Sequence, residues 1–135
     1  MGQIPIAILG YGGMGSYHAR KIIPQNKEYI NVYGTFDISD ERQEISKNNN
    51  YKTYKSEDEI LNDENVEAVL IATPNDLHKE QAIRALNAGK HVICEKPATL
   101  NVKELDEIIG VADKTGNVFM VHQNRRWDPD FLVIR

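Results

Sequence analysis

The sequence lacks the features that mark secreted, membrane and nucleic-acid-binding proteins. It has one cysteine, Cys94, so it can form no internal disulfide, and the cytoplasm is the expected location. No apolar run approaches the roughly 20 residues of a membrane-spanning helix. The formal charge is −4 and lysine and arginine form no stripe, which argues against nucleic acid as a partner. We therefore expect a globular domain with neither a membrane nor a nucleic acid as partner.

What the sequence does contain is an alternation of short apolar runs with helical patterns. The apolar runs predict strands at residues 4–9, 30–36, 68–72, 91–94 and 118–122, with a weak strand at 52–54. Helical patterns occupy residues 15–23, where Pro24 is expected to end the helix, and residues 40–47, 76–88 and 101–115, where Asn101 and Glu104 are in capping positions. The capping pair Ser56 and Glu59 introduces a short helix. Strand–helix units of this length predict an α/β fold, a doubly wound parallel sheet with helices on both faces.

A cluster of glycines lies between the first predicted strand and the first predicted helix, in the order G-x-G-x-x-G. In dinucleotide-binding folds the first glycine permits a tight turn, and the second lets a pyrophosphate lie against the backbone. The third lets helix and strand pack closely. A glycine-rich turn without a ligand is the alternative, and the strand and helix on either side disfavour it. The predicted pyrophosphate-binding residues are Gly10, Tyr11, Gly12, Gly13, Met14 and Gly15.

An acidic residue, Asp37, follows the next predicted strand, roughly 20 residues after the last glycine of the motif. A carboxylate at this position binds the hydroxyls of the adenosine ribose and repels a 2′-phosphate, which favours NAD over NADP. Ser39 and Arg42 follow closely, and an arginine nearby can accommodate that phosphate. NADP therefore stays open as a second coenzyme, although a solvated Arg42 is the favoured interpretation.

Polar residues follow two later strands, in the segments ATPNDLH and CEKPAT. Ligands bind outside the carboxyl ends of the strands in an open parallel sheet. Lys96 comes directly after its strand and is expected to point into that crevice, with Pro97 restricting its backbone to extended conformations. A solvated surface lysine is an equally good interpretation of this position taken alone.

Histidine and cysteine are too scattered to predict a metal site. His91 and Cys94 are three residues apart on one strand, so their side chains point to opposite faces. His18, His78 and His122 lie on separate elements without ligand spacing, and we expect a structural or solvated role for each. Cys94 lies in an apolar strand, which favours inert packing, although the lysine nearby leaves a reactive thiol as a weaker alternative. We therefore expect no bound metal.

The segments GYGGMGSYH, FD, ATPNDLH, AGKHVICEKPAT and QNRRW, in this order, resemble the N-terminal domain of the Gfo/Idh/MocA oxidoreductases. That family includes glucose–fructose oxidoreductase and inositol dehydrogenase. The resemblance covers the whole chain, and E-K-P in this context is its most specific motif. It implies that the glycines line the pyrophosphate of the coenzyme and that Asp37 contacts the adenosine ribose.

The same resemblance implies roles for residues after the later strands. Those expected to line the coenzyme cleft are Thr73, Pro74, Asn75 and His78, and Glu95 is expected near the nicotinamide ribose. Lys96 matches a catalytic lysine that lies between the nicotinamide and the reacting hydroxyl. Asn124 and Arg125 match residues at a domain junction, near the substrate.

The implied activity is transfer of a hydride between nicotinamide and a secondary alcohol of a sugar, cyclitol or related polyol. Residues 1–122 are then the dinucleotide-binding domain, and residues 123–135 start the connection to a substrate domain. Family members carry a second α/β domain, which this sequence is expected to lack, and it supplies most of the substrate pocket and the interface of a homo-oligomer. The 135 residues alone are expected to bind NAD without catalysis. A non-catalytic NAD-binding sensor or regulatory module is the alternative.

Overall fold

The computed structural model describes residues 2–134 and contains a sheet of five parallel strands. The strands lie in the order β2-β1-β3-β4-β5, so the chain turns to one side of β1 to form β2 and to the other side to form β3. The predicted doubly wound α/β fold is thus confirmed. The strands are β1 Ile4–Leu9, β2 Ile30–Phe36, β3 Ala68–Ile71, β4 His91–Cys94 and β5 Phe119–Val121.

Helices and short turns connect the strands. The helices are α1 Gly13–Tyr17, α2 Ile23–Gln25, α3 Asp40–Asn48, α4 Glu57–Asn62, α5 His78–Asn87, α6 Val102–Thr115 and α7 Pro129–Ile134. Single 3₁₀ turns, Asn75–Leu77 and Asn124–Trp127, precede α5 and α7. Among residues 2–134, no helix is both long and apolar enough to cross a membrane.

Capping side chains set where three of the helices begin. Ser39, Ser56 and Asn101 each accept a hydrogen bond from the backbone N–H three residues later, at the start of α3, α4 and α6. Such a cap satisfies one of the N–H groups that the first helical turn leaves without a partner. Gly116 ends α6 in the left-handed conformation, with φ of 71°.

The helix after the glycine cluster is longer and less regular than its sequence predicts. We expected Pro24 to end it, but a π-helical turn, His18–Ile22, joins α1 to α2, and Pro24 lies inside α2. Proline has no N–H for the carbonyl four residues earlier. The wider π turn, in which the Ile23 N–H donates to the His18 carbonyl, carries the helix past this gap. His18 is the first residue of that turn and is buried.

Two hydrophobic cores lie on the two faces of the sheet. Successive residues of β1 alternate between them: Ala7 and Leu9 pack in one core, and Ile6 and Ile8 in the other. All four residues of β3 are buried, as a strand covered on both faces requires. The carboxyl ends of β1, β3 and β4 are therefore held rigidly at one edge of the sheet.

The weak strand predicted at residues 52–54 is reduced to one bridge, between Thr35 and Thr53. Tyr54 is buried beside it, and its ring lies so close to β2 that a Cβ on Gly34 would stand 2.4 Å from Tyr54 Cε2. Glycine at position 34 thus lets the tyrosine pack directly on the strand. The phenol also joins a polar cluster at the end of α4.

That polar cluster centres on Asp63. Asp63 Oδ2 accepts hydrogen bonds from Lys52 Nζ at 2.9 Å and from the Tyr54 hydroxyl at 2.8 Å, and Oδ1 accepts from the Asn65 N–H. The Lys52 ammonium, with the Asn65 and Tyr54 donors, holds the pKa of Asp63 well below its usual range. The cluster links the loop after α4 to the segment that covers β2.

The ionised form of Asp63 should stabilise the fold above the pKa of an unfolded aspartate, about 3.9, and this contribution should be lost as pH falls below that value. We expect Asp63→Asn to lower the free energy of unfolding by about 1 kcal/mol at pH 7. Urea unfolding at pH 7, 4 and 2.5 should show the difference between the two proteins shrinking with acidity. A difference that stays constant over this range would contradict the assignment. Asp113→Asn, at an exposed position on α6, is the matched control.

Candidate functional site

The first and third glycines of the motif have steric reasons to be glycine. Gly10 follows β1 with φ of +89°, and a Cβ there would lie 2.6 Å from the Ala72 carbonyl oxygen. A Cβ on Gly15 would lie 1.8 Å from the Gly10 carbonyl oxygen. The turn is therefore tight and the helix packs directly against it, as the motif predicts.

The second glycine has a different environment. Apart from the adjoining residues of the chain and the backbone of the helix itself, no atom of the described residues lies within 4 Å of a Cβ built on Gly12 or on Gly13. Gly12 caps the N-terminus of α1 without a side-chain hydrogen bond, so N–H groups of the first turn are left open to a ligand. These two residues line an open space, called the glycine cradle below, that a side chain at either position would occupy. Met14 is partly exposed beside it.

Tyr11 contributes to this site through its backbone. Its side chain is fully buried in the core that contains Ile6 and Ile8. Its N–H donates to Asp37 Oδ2 at 2.7 Å, and the Ser39 N–H donates to Oδ1 at 2.9 Å. The Asp37 carboxylate at the end of β2 is thus held in one orientation, next to the glycine turn.

A cavity of about 500 Å³ opens between the ends of β1, β2 and β3. Four residues of the predicted site besides Asp37 line it: Gly10, Gly12, Thr73 and Pro74. Lining residues that sequence reasoning did not assign to binding include Ile38, Leu77 and Gln81. Ile38 is 91% exposed. An exposed isoleucine directly after the acidic residue is the signal that could have identified an apolar wall, suited to an adenine ring.

The segment after β3 is held by His78 and Gln81. His78 is fully buried, with Nδ1 2.9 Å from the Pro97 carbonyl oxygen and Nε2 2.9 Å from the Thr73 carbonyl oxygen. The Thr73 hydroxyl donates to Gln81 Oε1. His78 therefore ties the loop after β3 to the loop after β4, and its direct contact with a coenzyme stays a prediction. Asn75 is exposed at the start of the 3₁₀ turn, outside the cavity lining.

Three residues that are distant in sequence meet at Glu95, directly after β4. Glu95 Oε1 accepts hydrogen bonds from His18 Nε2 at 2.5 Å and from His122 Nδ1 at 3.0 Å. The two imidazole rings stand edge to face, 4.7 Å apart. The sequence places these histidines on separate elements without ligand spacing, but the sheet order brings the end of α1 and the ends of β4 and β5 together. We call this group the Glu95 triad.

The Glu95 triad has the donor atoms of a zinc site, but its geometry is that of a hydrogen-bonded group. Ligand atoms around one zinc ion, bound at about 2.0–2.1 Å, stand about 3.3 Å apart. The 2.5 Å between His18 Nε2 and Glu95 Oε1 is shorter and is a hydrogen-bond distance. The donors therefore satisfy one another, and the group is a buried polar network.

Lys96 is the exposed neighbour of this buried network. Among residues 2–134, no hydrogen bond or ion pair involves its ammonium group. Asn124 and Arg125 lie on the exposed 3₁₀ turn after β5, where Arg125 Nε donates to Asp128.

Burial raises the pKa of the Cys94 thiol to about 12, which keeps it protonated and unreactive at neutral pH.

Comparison with known proteins decides the family. Residues 4–123 match the model of the Gfo/Idh/MocA group, described as an oxidoreductase family with an NAD-binding Rossmann fold. The chain belongs to this family. The resemblance drawn from the E-K-P and glycine motifs is therefore confirmed.

Individual members of the Gfo/Idh/MocA family align over nearly the whole chain. The NADP⁺-dependent scyllo-inositol 2-dehydrogenase IolW of Bacillus subtilis is 35% identical over 98% of this chain and 36% of its own length. Myo-inositol 2-dehydrogenase of Thermotoga maritima is 34% identical over 96% of this chain and 39% of its own length. The crystal structure of an NAD-binding protein from Listeria innocua superimposes with a TM-score of 0.94 at 51% identity, over 98% of this chain and 39% of that one.

The chain thus spans little more than a third of the length of the curated relatives it matches. The family supports NAD as the coenzyme, and NADP-dependent members such as IolW exist as well. Coenzyme choice within the family therefore has to be argued from Asp37 and the residues beside it.

We expect this member of the family to bind NAD more tightly than NADP. The Asp37 carboxylate should repel the 2′-phosphate of NADP. Asp37→Asn should reduce the ratio of the NADP and NAD dissociation constants by roughly tenfold, because asparagine keeps one acceptor oxygen but loses the charge. Isothermal titration with both coenzymes measures the effect. Arg42 lines the same cavity, so tighter binding of NADP by the unsubstituted chain would mean that the arginine decides the choice instead.

Proposed function

We propose that the protein is a dehydrogenase that transfers a hydride between nicotinamide and a secondary alcohol of a sugar, cyclitol or related polyol, and that this chain is its nucleotide-binding part. The names of the relatives support this substrate class, since two of them are inositol dehydrogenases. The observation that carries the proposal is the exposed ammonium of Lys96, which has no hydrogen-bond or ion-pair partner among residues 2–134 and lies at the same edge of the sheet as the glycine turn.

The residues present fit a dinucleotide. Gly12 and Gly13 leave an open cradle in which a Cβ would take the place of a ligand. Their backbone and the N-terminus of the following helix would hold the pyrophosphate. Asp37 would accept hydrogen bonds from the adenosine ribose, and Ile38 with Leu77 would cover the adenine. When bound, the coenzyme supplies the hydride chemistry, and the protein supplies orientation and charge.

Lys96 has the properties of a group that acts on substrate. Its ammonium can donate a hydrogen bond to the alcohol oxygen and stabilise the negative charge that develops there as the proton leaves. The Lys96 N–H donates a hydrogen bond to Oε2 of the buried Glu95, and this contact anchors the backbone from which the lysine side chain projects. Asn124 and Arg125 are proposed to contact the substrate from the far side, because they follow β5 at the same edge of the sheet.

A non-catalytic NAD-binding module would need the glycine cradle and Asp37 but not this lysine. The test is the reduction of NAD by the whole protein with a panel of inositols and sugars, followed by nicotinamide absorbance. We expect turnover with at least one polyol, and none by residues 1–135 alone, which should nevertheless bind NAD in a titration. A whole protein that binds NAD but reduces it with no member of the panel would support the binding module.

A further inference from the structure

Glu95 is a buried carboxylate, and with Lys90 it is one of two buried residues among those described whose side chains carry a full charge at neutral pH. It is 6% exposed, and both of its carboxylate oxygens accept hydrogen bonds. Oε1 accepts from the two histidines of the Glu95 triad, and Oε2 accepts from the Lys96 N–H at 3.3 Å. Burying an ionised carboxylate is costly, and a neutral glutamine would make similar hydrogen bonds at lower cost. This charge therefore calls for an explanation.

The Glu95 triad carries a net negative charge when its histidines are neutral. Burial acts to raise the pKa of Glu95, but the hydrogen bond from His18 and the two neighbouring rings outweigh it and hold that pKa below its usual range. Burial lowers the pKa of His18, so this ring is neutral near pH 7. His122 needs only its Nδ1–H to make its hydrogen bond. The opposite charge nearest in sequence, the Lys96 ammonium, is exposed and therefore screened by water.

The position of this charge relative to a bound dinucleotide follows from the strand order. Asp37 ends β2 and the glycine turn follows β1, so the adenosine and pyrophosphate occupy that side of the sheet. The nicotinamide half must then extend toward the ends of β3 and β4. Glu95 lies there, with its N–H donating to the Ile71 carbonyl at the end of β3. This step rests on the function proposed above.

We propose that Glu95 sets a preference for the oxidised coenzyme. The nicotinamide ring is positively charged in NAD⁺ and neutral in NADH, so a buried negative charge at this end of the cleft stabilises bound NAD⁺ alone. Water screens a surface carboxylate strongly, but it screens a buried one much less. The two histidines keep the carboxylate ionised and fixed in place. Glu95 is thus a residue that determines specificity between the two redox forms.

The test is the ratio of the dissociation constants of NAD⁺ and NADH, measured by titration of the 135-residue chain at pH 7.5. Glu95→Gln should weaken NAD⁺ relative to NADH by about tenfold, the size of a unit-charge interaction near a protein surface. Asp113→Asn removes a negative charge on α6 and should leave the ratio unchanged. If Glu95→Gln weakens both coenzymes equally, the residue is only structural and the proposal is wrong.

Lys96→Met provides a second measurement that leaves the buried network intact. Removing the positive charge should shift the ratio in the opposite direction, toward NAD⁺, by a smaller factor because that charge is exposed. An unchanged ratio in folded Glu95→Gln overturns the proposal, and where that variant folds poorly an unchanged ratio in Lys96→Met overturns it instead. Binding of neither coenzyme by the unsubstituted chain would instead refute the proposed function itself, so the two failures are distinguishable.

Discussion

Gly12→Val should abolish NAD binding while the domain stays folded. The backbone of Gly12 has φ of −74° and ψ of −156°, which any residue can adopt. Apart from the residues adjoining Gly12 in the chain, no described atom lies within 4 Å of the added Cβ. The isopropyl group would therefore occupy only the space that the pyrophosphate needs. We expect the dissociation constant to rise by at least about 100-fold, since both phosphate contacts and the fit of the cradle are lost.

The matched control for this prediction is Gly15→Val, three residues later, in helix α1. Here the Cβ would lie 1.8 Å from a backbone carbonyl oxygen, so the helix could not pack on the turn. We expect this variant to lose at least about 3 kcal/mol of stability and to unfold or aggregate. Circular dichroism and thermal unfolding separate the two outcomes, and titration with NAD completes the test. Unchanged affinity in folded Gly12→Val would contradict the assignment of the coenzyme site.

Lys96→Ala should lower kcat of the whole protein by roughly 100- to 1,000-fold, the usual effect of removing one donor from a developing oxyanion. The side chain is exposed and makes no hydrogen bond or ion pair among residues 2–134, so its removal should leave stability unchanged. The dissociation constant of the coenzyme should change little by comparison, so the substitution should affect kcat much more than coenzyme binding.

Two variants sharpen the interpretation of Lys96. Lys96→Arg should restore only part of the activity, because the guanidinium is larger and planar and cannot place its charge at the same point. Lys103→Ala, at an exposed position on α6, removes a lysine charge and should leave kcat unchanged. Near-normal turnover by Lys96→Ala would remove this residue from the mechanism and strengthen the interpretation as a binding module.

The helix boundaries show where sequence reasoning succeeds and where it stops. Ser56 and Asn101 were recognised as caps because capping is a contact between residues three apart. Pro24 was read as the end of a helix by the same local logic, and that was wrong. The helix continues through it because its buried face, including His18 and Ile23, packs on the sheet.

For the expected coenzyme-binding residues, the sequence likewise predicted positions in the chain but not side-chain orientation or burial. Asp37 was placed correctly at the end of β2, but its fixed orientation depends on the Ser39 N–H of its own loop and on the Tyr11 N–H of the glycine turn, which is distant in sequence. Tyr11 was counted with the binding loop because it lies inside the motif, whereas its side chain fills the core. Ile38 was not considered: its position directly after the acidic residue was the available signal, but only the structure shows that its side chain is exposed and lines the cavity.

By itself the sequence determined the class of fold, the glycine turn, the acidic residue after β2 and the lysine after β4. Each of these is encoded within one strand–helix unit, by periodicity or by a short motif. Only the tertiary structure decided what surrounds them. His18 and His122 are 77 and 27 residues from Glu95 in sequence, and they reach it because the strands are ordered so that α1 and the ends of β4 and β5 converge. The sequence gives the type and charge of each side chain, but burial and hydrogen-bond partners depend on which strands become neighbours.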